Sequence, residues 1–169
     1  KLITTINEIS KELLIHEFET LSKLNHQNLV RVYNLGFTAE DIPFFTMDLV
    51  EGVDVQTFFY EPDNDSYFHL ILSSIFSALN YLHERNILHG DIKPTNILIS
   101  KDPTSGVHVT LLDFGFATNR SVPGRKISGT LAYIAPELLS GGQHTPASDL
   151  YSLGMTILSS MTEAEIPLP

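Results

Sequence analysis

Apolar residues along the 169-residue chain fall into two rhythms, one of period near 3.6 and one of period 2, with polar punctuation between them. Between Asn7, a candidate N-cap, and about Asn25 the spacing predicts a helix. On a helical wheel Leu13, Leu21 and Leu24 all fall within about 40° of Glu17, so a carboxylate sits in the middle of the apolar face and needs a partner there. Leu29 to Asn34 alternates as a strand, Gly36 starts a turn, and Pro43 to Val50 reads as an antiparallel neighbour. Glu51-Gly52 breaks that pattern as a hinge would. The acidic connection Glu61 to Ser66 is turn-rich, and Ser66 reads as the cap of a helix to about Arg85. Ile71, Ile75, Leu79 and Leu82 form its buried stripe, and Asn86 ends it. Ile97 to Ser100 and Val107 to Leu112 read as a hairpin around a turn at Asp102 to Gly106. The stretch Phe116 to Leu131 is polar, carries Arg120, Arg125 and Lys126, and is expected to be mobile. A last helix starts near Ser148.

Composition narrows what such a chain can be. A hydrophobic content of 43% and an aromatic content of 9% suit a globular protein with a real core, and the length suits one domain or part of one. Ten Lys and Arg against 20 Asp and Glu leave a net charge of −10, which argues against nucleic acid or an anionic membrane as partner. The absence of Cys removes disulfides, thiolate metal sites and cysteine nucleophiles. There is no run of about 18 apolar residues and no signal peptide, so a cytoplasmic location is expected. The chain opens mid-pattern at Lys1-Leu2-Ile3 and closes on Pro167-Leu168-Pro169, so both ends are expected to continue into something longer.

Candidate chemistry is concentrated at His89-Gly90-Asp91-Ile92-Lys93-Pro94-Thr95-Asn96. An acidic group such as Asp91 can accept or orient the proton of an attacking hydroxyl. A cation such as Lys93 on the same stretch can neutralise charge on a group in transfer. Asn96, a neutral oxygen donor, suits a hard cation. A lone His is usually structural, so His89 is expected to pack beneath this stretch rather than titrate in catalysis. Asp113-Phe114-Gly115 follows Asn96 by about 17 residues, at the end of an apolar strand.

These residues resemble the H-R-D-L-x-x-x-N catalytic loop and D-F-G motif of protein kinases, with Gly90 where the family usually has Arg. Gly129 to Glu137 is similar to the G-T-x-x-Y-x-A-P-E end of an activation segment. Glu17-x-x-x-Leu21-x-x-Leu24-x-His26-x-Asn28 is similar to the family's C helix and following turn. Ser148-Asp149-Leu150-Tyr151-Ser152-Leu153-Gly154 resembles the start of its buried F helix. The motifs keep family order and spacing over almost the whole chain.

The resemblance implies an α+β bilobal fold, partial at both ends. Residues 1–50 would form part of the smaller lobe, and 51–169 the hinge and part of the mainly helical lobe. It implies Mg2+- and ATP-dependent phosphorylation of Ser or Thr hydroxyls on protein substrates, in signalling. Asp91, Lys93, Asn96 and Thr130 would be catalytic, and Asn96 and Asp113 would bind metal. Lys1 paired with Glu17 would hold phosphates. Met47 would be the gatekeeper, the Asp48 carbonyl and Val50 N–H would meet adenine, Asp54 would lie near the ribose, and Leu98 would contact the nucleotide. Leu21, Val32, His89 and Phe114 fall where the family stacks its regulatory spine. Asp149 would anchor the spine and reach back to the catalytic-loop backbone. The family pairs Glu137 with an Arg from a later helix, which would lie beyond residue 169. A Gly-rich segment is expected upstream of Lys1, and further domains are expected in the full protein. Without that segment and the last helices, residues 1–169 alone are expected to be inactive.

Two alternatives are weighed. A catalytically dead kinase-like binding module usually loses one of Asp91, Lys93, Asn96 or Asp113, all present here. Small-molecule phosphotransferases of the aminoglycoside type also carry H-G-D, but Lys93 and the segment Gly129 to Glu137 favour the protein-kinase type. Gly90 offers no cation to a phosphorylated activation segment, so control through that pairing is not expected.

Overall fold

The computed structural model describes residues 8–104, 106–113, 118–119 and 131–162. The order of elements is α1 (Glu8–Leu21), β1 (Val32–Phe37), β2 (Pro43–Met47), β3 (Val53–Asp54), α2 (Val55–Tyr60), α3 (Phe68–His83), β4 (Ile87–Leu88), β5 (Ile97–Asp102), β6 (Gly106–Leu111), β7 (Thr118–Asn119), α4 (Pro136–Leu139) and α5 (Pro146–Met161). It is an α+β arrangement in which short antiparallel sheets carry the chain between helices. No helix among the described residues is long and apolar enough to cross a membrane.

Helix α1 buries Leu14, Glu17 and Leu21, spaced i, i+3, i+7, against β1 and β2. The helix stops at Leu21, about a turn before the expected end at Asn25. Leu24 is only half-buried and packs at the margin of the core. The strand expected at Leu29 to Asn34 begins instead at Val32, because residues 28–30 are engaged elsewhere. Leu111 N–H donates to the Asn28 carbonyl (2.8 Å), Val30 N–H donates to the Leu111 carbonyl (3.0 Å), and Asn28 Nδ2 donates to the Val109 carbonyl (2.8 Å). This stitches the turn after α1 to the end of β6. Strand β2 pairs antiparallel with β1, with Val32 opposite Met47, and stops there, so Asp48 to Val50 leave the ladder earlier than the apolar run suggested.

After β2, Gly52 lies so close to β5 that a Cβ on it would meet the Ile99 carbonyl oxygen at 2.6 Å, which only glycine permits. Helix α3 begins at Phe68, not at Ser66. A 3-10 turn over Asn64–Tyr67 precedes it, and the Ser66 hydroxyl is turned back to the Asp63 carbonyl at 2.9 Å. The predicted stripe is correct, for Ile71, Ile75, Leu79 and Leu82 are all buried. Asn86, at φ 58°, turns the chain out of the helix in the left-handed conformation that Asn tolerates well. The hairpin β5–β6 pairs Ile97 with Leu111 through Asp102 with Gly106. One core runs continuously from α1 through β1–β2 to α3 and this hairpin. Helix α5 starts from a capping box, in which the Thr145 side chain accepts from Ser148 N–H (3.3 Å) and Ser148 Oγ accepts from Thr145 N–H (3.0 Å).

Candidate active site

The stretch from His89 to Asn96 leaves β4, turns at Gly90 and closes in a 3-10 turn over Pro94–Asn96 before entering β5. Asp91 is the centre of its polar network. Lys93 Nζ lies 2.7 Å from Asp91 Oδ2, and Asn96 Nδ2 donates to the same oxygen at 3.0 Å and to the Asp91 carbonyl at 2.8 Å. The Asp91 side chain is 8% exposed, so the carboxylate is held in a partly dry, cation-flanked setting. Both side-chain donors converge on Oδ2, which leaves Oδ1 without a protein donor among the described residues. That oxygen can accept a hydrogen bond from a hydroxyl.

Asn96 spends its NH2 group on Asp91, which fixes the amide so that Oδ1 is the atom left for another ligand. Leu112 N–H donates to the Asn96 carbonyl at 2.9 Å, so Asp113 follows directly from a residue tied to Asn96. Asp113 itself sits at φ 57°, a conformation that costs a non-glycine residue about 1 kcal/mol or more and that clusters at functional sites. No group of three or more His, Asp or Glu side chains that could hold a metal by themselves exists among the described residues. Mg2+ bound together with phosphates needs only one or two protein oxygens, and Asn96 Oδ1 with the Asp113 carboxylate fits that requirement.

His89 is fully buried, as expected of a packing residue, and its Nδ1 accepts from Asp91 N–H at 3.3 Å. Burial holds its pKa below the usual histidine value, against the opposing pull of the Asp149, Asp91 and Asp113 charges. Asp149, on α5, reaches back as expected. It accepts His89 N–H on Oδ2 (3.0 Å) and Gly90 N–H on Oδ1 (2.9 Å). Burial favours its neutral form, but the hydrogen bond from His83, the His89 ring and the two amides together keep it below the ordinary carboxylate range. Thr156, two turns further along α5, donates its hydroxyl to the Ser152 carbonyl at 2.7 Å, with the Ile92 carbonyl 3.5 Å away. His83 is the residue that motif reading missed. Its signal in the sequence was only its place as the last residue of the helix feeding His89.

The residues expected around a nucleotide lie on several elements. Met47 packs against the core at the end of β2, while Leu49 projects outward at 87% exposure. Asp48 N–H donates to the Arg31 carbonyl at 2.9 Å, and the Asp48 carboxylate accepts from Arg31 N–H at 3.3 Å and from the Tyr33 hydroxyl. The Asp48 carbonyl and Val50 N–H have no backbone partner among the described residues, so both are available to a planar base. Asp54 stands opposite Leu98 in the β3–β5 pairing, which puts these two side by side. Asp54 has a second duty, since its carboxylate caps α2 through Thr57 N–H (2.9 Å) and Thr57 Oγ1 (2.7 Å). Glu17 is buried on the inner face of α1, at 7% exposure. Lys1, Phe114 and Thr130 lie outside the described residues, as does most of the segment expected to be mobile. Glu137 is exposed and makes no ion pair among the described residues.

Comparison with known proteins places the chain in a family. The protein kinase domain family matches residues 1–169. The chain is 31% identical over 159 residues to the inhibitor of nuclear factor kappa-B kinase subunit alpha of Gallus gallus, covering 88% of the chain and 21% of that protein. It is 35% identical over 152 residues to the serine/threonine-protein kinase PrkC of Bacillus subtilis, covering 86% of the chain and 23% of that protein. It is 31% identical over 163 residues to the human serine/threonine-protein kinase ULK3, covering 93% and 34%. The chain therefore spans about a fifth to a third of the length of the curated relatives it matches. With the family match running over residues 1–169, the chain belongs to the protein kinase domain family.

Proposed function

We propose that the protein transfers the γ-phosphoryl group of ATP to Ser or Thr hydroxyls of protein substrates, in a signalling role, with residues 1–50 contributing to the smaller lobe and 51–169 to the hinge and larger lobe. The observation that carries the proposal is the Asp91 carboxylate, held on Oδ2 by Lys93 and Asn96 and open on Oδ1. Asp91 Oδ1 would accept the hydroxyl proton as the substrate oxygen bonds to phosphorus and the bond to the leaving ADP oxygen breaks. Lys93 would balance charge on the group in transfer. Asn96 and Asp113 would hold Mg2+, which supplies charge neutralisation on the phosphates. The hinge backbone at Asp48 and Val50 would orient the base, with Met47, Asp54 and Leu98 bounding the nucleotide. The roles of Lys1 and Thr130 rest on the family resemblance.

Gly90 does not favour a small-molecule phosphotransferase. Its φ of 76° is a backbone reason for glycine that is independent of the substrate. The test is phosphate transfer by the complete protein to a generic Ser/Thr substrate. Asp91→Asn should lower turnover by about 10²–10⁴-fold while ATP affinity is nearly kept. Transfer at the wild-type rate by that variant overturns the assignment.

A further inference from the structure

Strand β1 and the residue after β2 meet in a way that regular antiparallel pairing does not require. Val32 stands opposite Met47, so the next pair along the ladder is Arg31 with Asp48. Where such a pair is hydrogen-bonded, each residue donates its N–H to the other's carbonyl. Half of that exchange is present, because Asp48 N–H donates to the Arg31 carbonyl at 2.9 Å. The other half is replaced: Arg31 N–H donates to Asp48 Oδ2 at 3.3 Å. The carboxylate has taken the ladder place of the residue's own backbone oxygen.

A carboxylate on a rotatable bond keeps such a place better when its second oxygen is also held. The Tyr33 hydroxyl donates to Asp48 Oδ1. Tyr33 reaches it from an irregular step of β1, where the register shifts between Val32 and Leu35 and β1 carries one residue more than β2. Bulges of this kind re-aim side chains. Asn34 N–H, in the same step, donates to Thr46 Oγ1 at 3.2 Å, so a side-chain oxygen enters the ladder there too. The bond to Asp48 holds the Tyr33 pKa above its ordinary 10.0, and the phenol stays a donor at neutral pH.

We propose that Tyr33 and the Asp48 carboxylate are positioning residues for the nucleotide base: by completing the ladder with a side chain they leave the Asp48 carbonyl unspent, as an acceptor for the 6-amino group of a purine. The inference rests on the nucleotide reading of Asp48 given above. A carbonyl already paired in a sheet gains little from an amino group, whereas a free one must find its partner in the base or in water. The arrangement therefore bears on selectivity for the amino group and not only on the stability of the strand end.

The probes are ATP and purine riboside triphosphate, which lacks the 6-amino group, each titrated calorimetrically into the complete protein. The wild type should bind ATP about tenfold more tightly, the worth of one good hydrogen bond. In Asp48→Ala the carbonyl can return to Arg31 N–H, and the preference should shrink to about twofold or less. Tyr33→Phe should lose about threefold of the preference, and Asp48→Asn, which keeps an oxygen for Arg31 N–H, should stay within about twofold of the wild type. Through-hydrogen-bond NMR coupling should join the Arg31 nitrogen to the side-chain carboxyl carbon of Asp48 in the wild type. A wild-type coupling to the Asp48 backbone carbonyl carbon, a full preference in Asp48→Ala, or equal loss in Asp48→Ala and Asp48→Asn each overturns the proposal. Should Asp48→Ala fail to fold, Tyr33→Phe decides, and an unchanged preference there overturns it. Should the protein bind ATP and transfer no phosphate, the proposed function fails while the binding ratios still decide the role of Tyr33 and Asp48. Binding of neither nucleotide overturns both.

Discussion

Gly90 shows how one residue can carry two arguments. Chemically, it lacks the cation that would meet a phosphate on the activation segment. Conformationally, its φ of 76° lies where a Cβ would crowd the backbone, at a cost of about 1–2 kcal/mol for an L-residue. Replacing a glycine usually stabilises a protein by about 0.4–1 kcal/mol through the unfolded chain, but that gain is smaller than the strain here. Gly90→Arg should therefore lower Tm by a few degrees in calorimetry of the complete protein, and an unchanged or raised Tm would contradict the strain. On the function proposed above, the complete protein treated with phosphatase should transfer phosphate as well as the untreated protein. Strict dependence on phosphorylation between Phe116 and Thr130 would refute that reading of Gly90.

At the level of elements, α5 matters because of where it starts. The capping box of Thr145 and Ser148 fixes the first turn, and Asp149 occupies that same turn. Thr145→Ala should cost about 1 kcal/mol, seen as a lower urea midpoint with an unchanged m value. The hydrophobic rhythm made α3 and the β5–β6 hairpin legible, because those elements bury one face and leave the other in water; of the face expected on α1, Glu17 and Leu21 are buried, Leu14 joins them, Leu24 is only partly buried, and the side chain of Leu13 lies outside the described residues. It misplaced the ends wherever tertiary bonds overrode local preference. The turn at Asn28 to Val30 is captured by Leu111 rather than by β2. Ser66 looked like a cap yet spends its hydroxyl within a 3-10 turn. Of the candidate site, the clustering of Asp91, Lys93 and Asn96 was legible, because the three lie within one short stretch. His83 was not, because a histidine near a helix end carries no pattern, and its partner Asp149 stands 66 residues further along the chain.

The whole molecule registers pH through groups whose surroundings favour one protonation state, His89 and Asp149 buried and His26 partly exposed. His89 is held below its ordinary pKa of 6.5 mainly by burial, and His26 by burial and then the Arg85 charge. For both, the unfolded chain binds the proton more readily, so the stability they contribute is complete above about pH 6.5 and is lost as pH falls below it. Asp149, depressed from 3.8, adds a further loss at still lower pH. Unfolding free energy from urea titrations should thus fall between about pH 7.5 and about pH 5.5, and a flat or rising trend would exclude a neutral buried His89.

The grip of Asp149 on His89 and Gly90 spans about 60 positions of sequence. During synthesis from the N-terminus at about 5–20 residues per second, the stretch around Asp91 emerges several seconds before the side chain that anchors it. A nascent chain could thus display every residue of the catalytic motif and still hold its base in no fixed direction. Catalytic competence would then be a late event in the life of each new molecule, timed by the arrival of the last helix described rather than by the residues that perform the reaction.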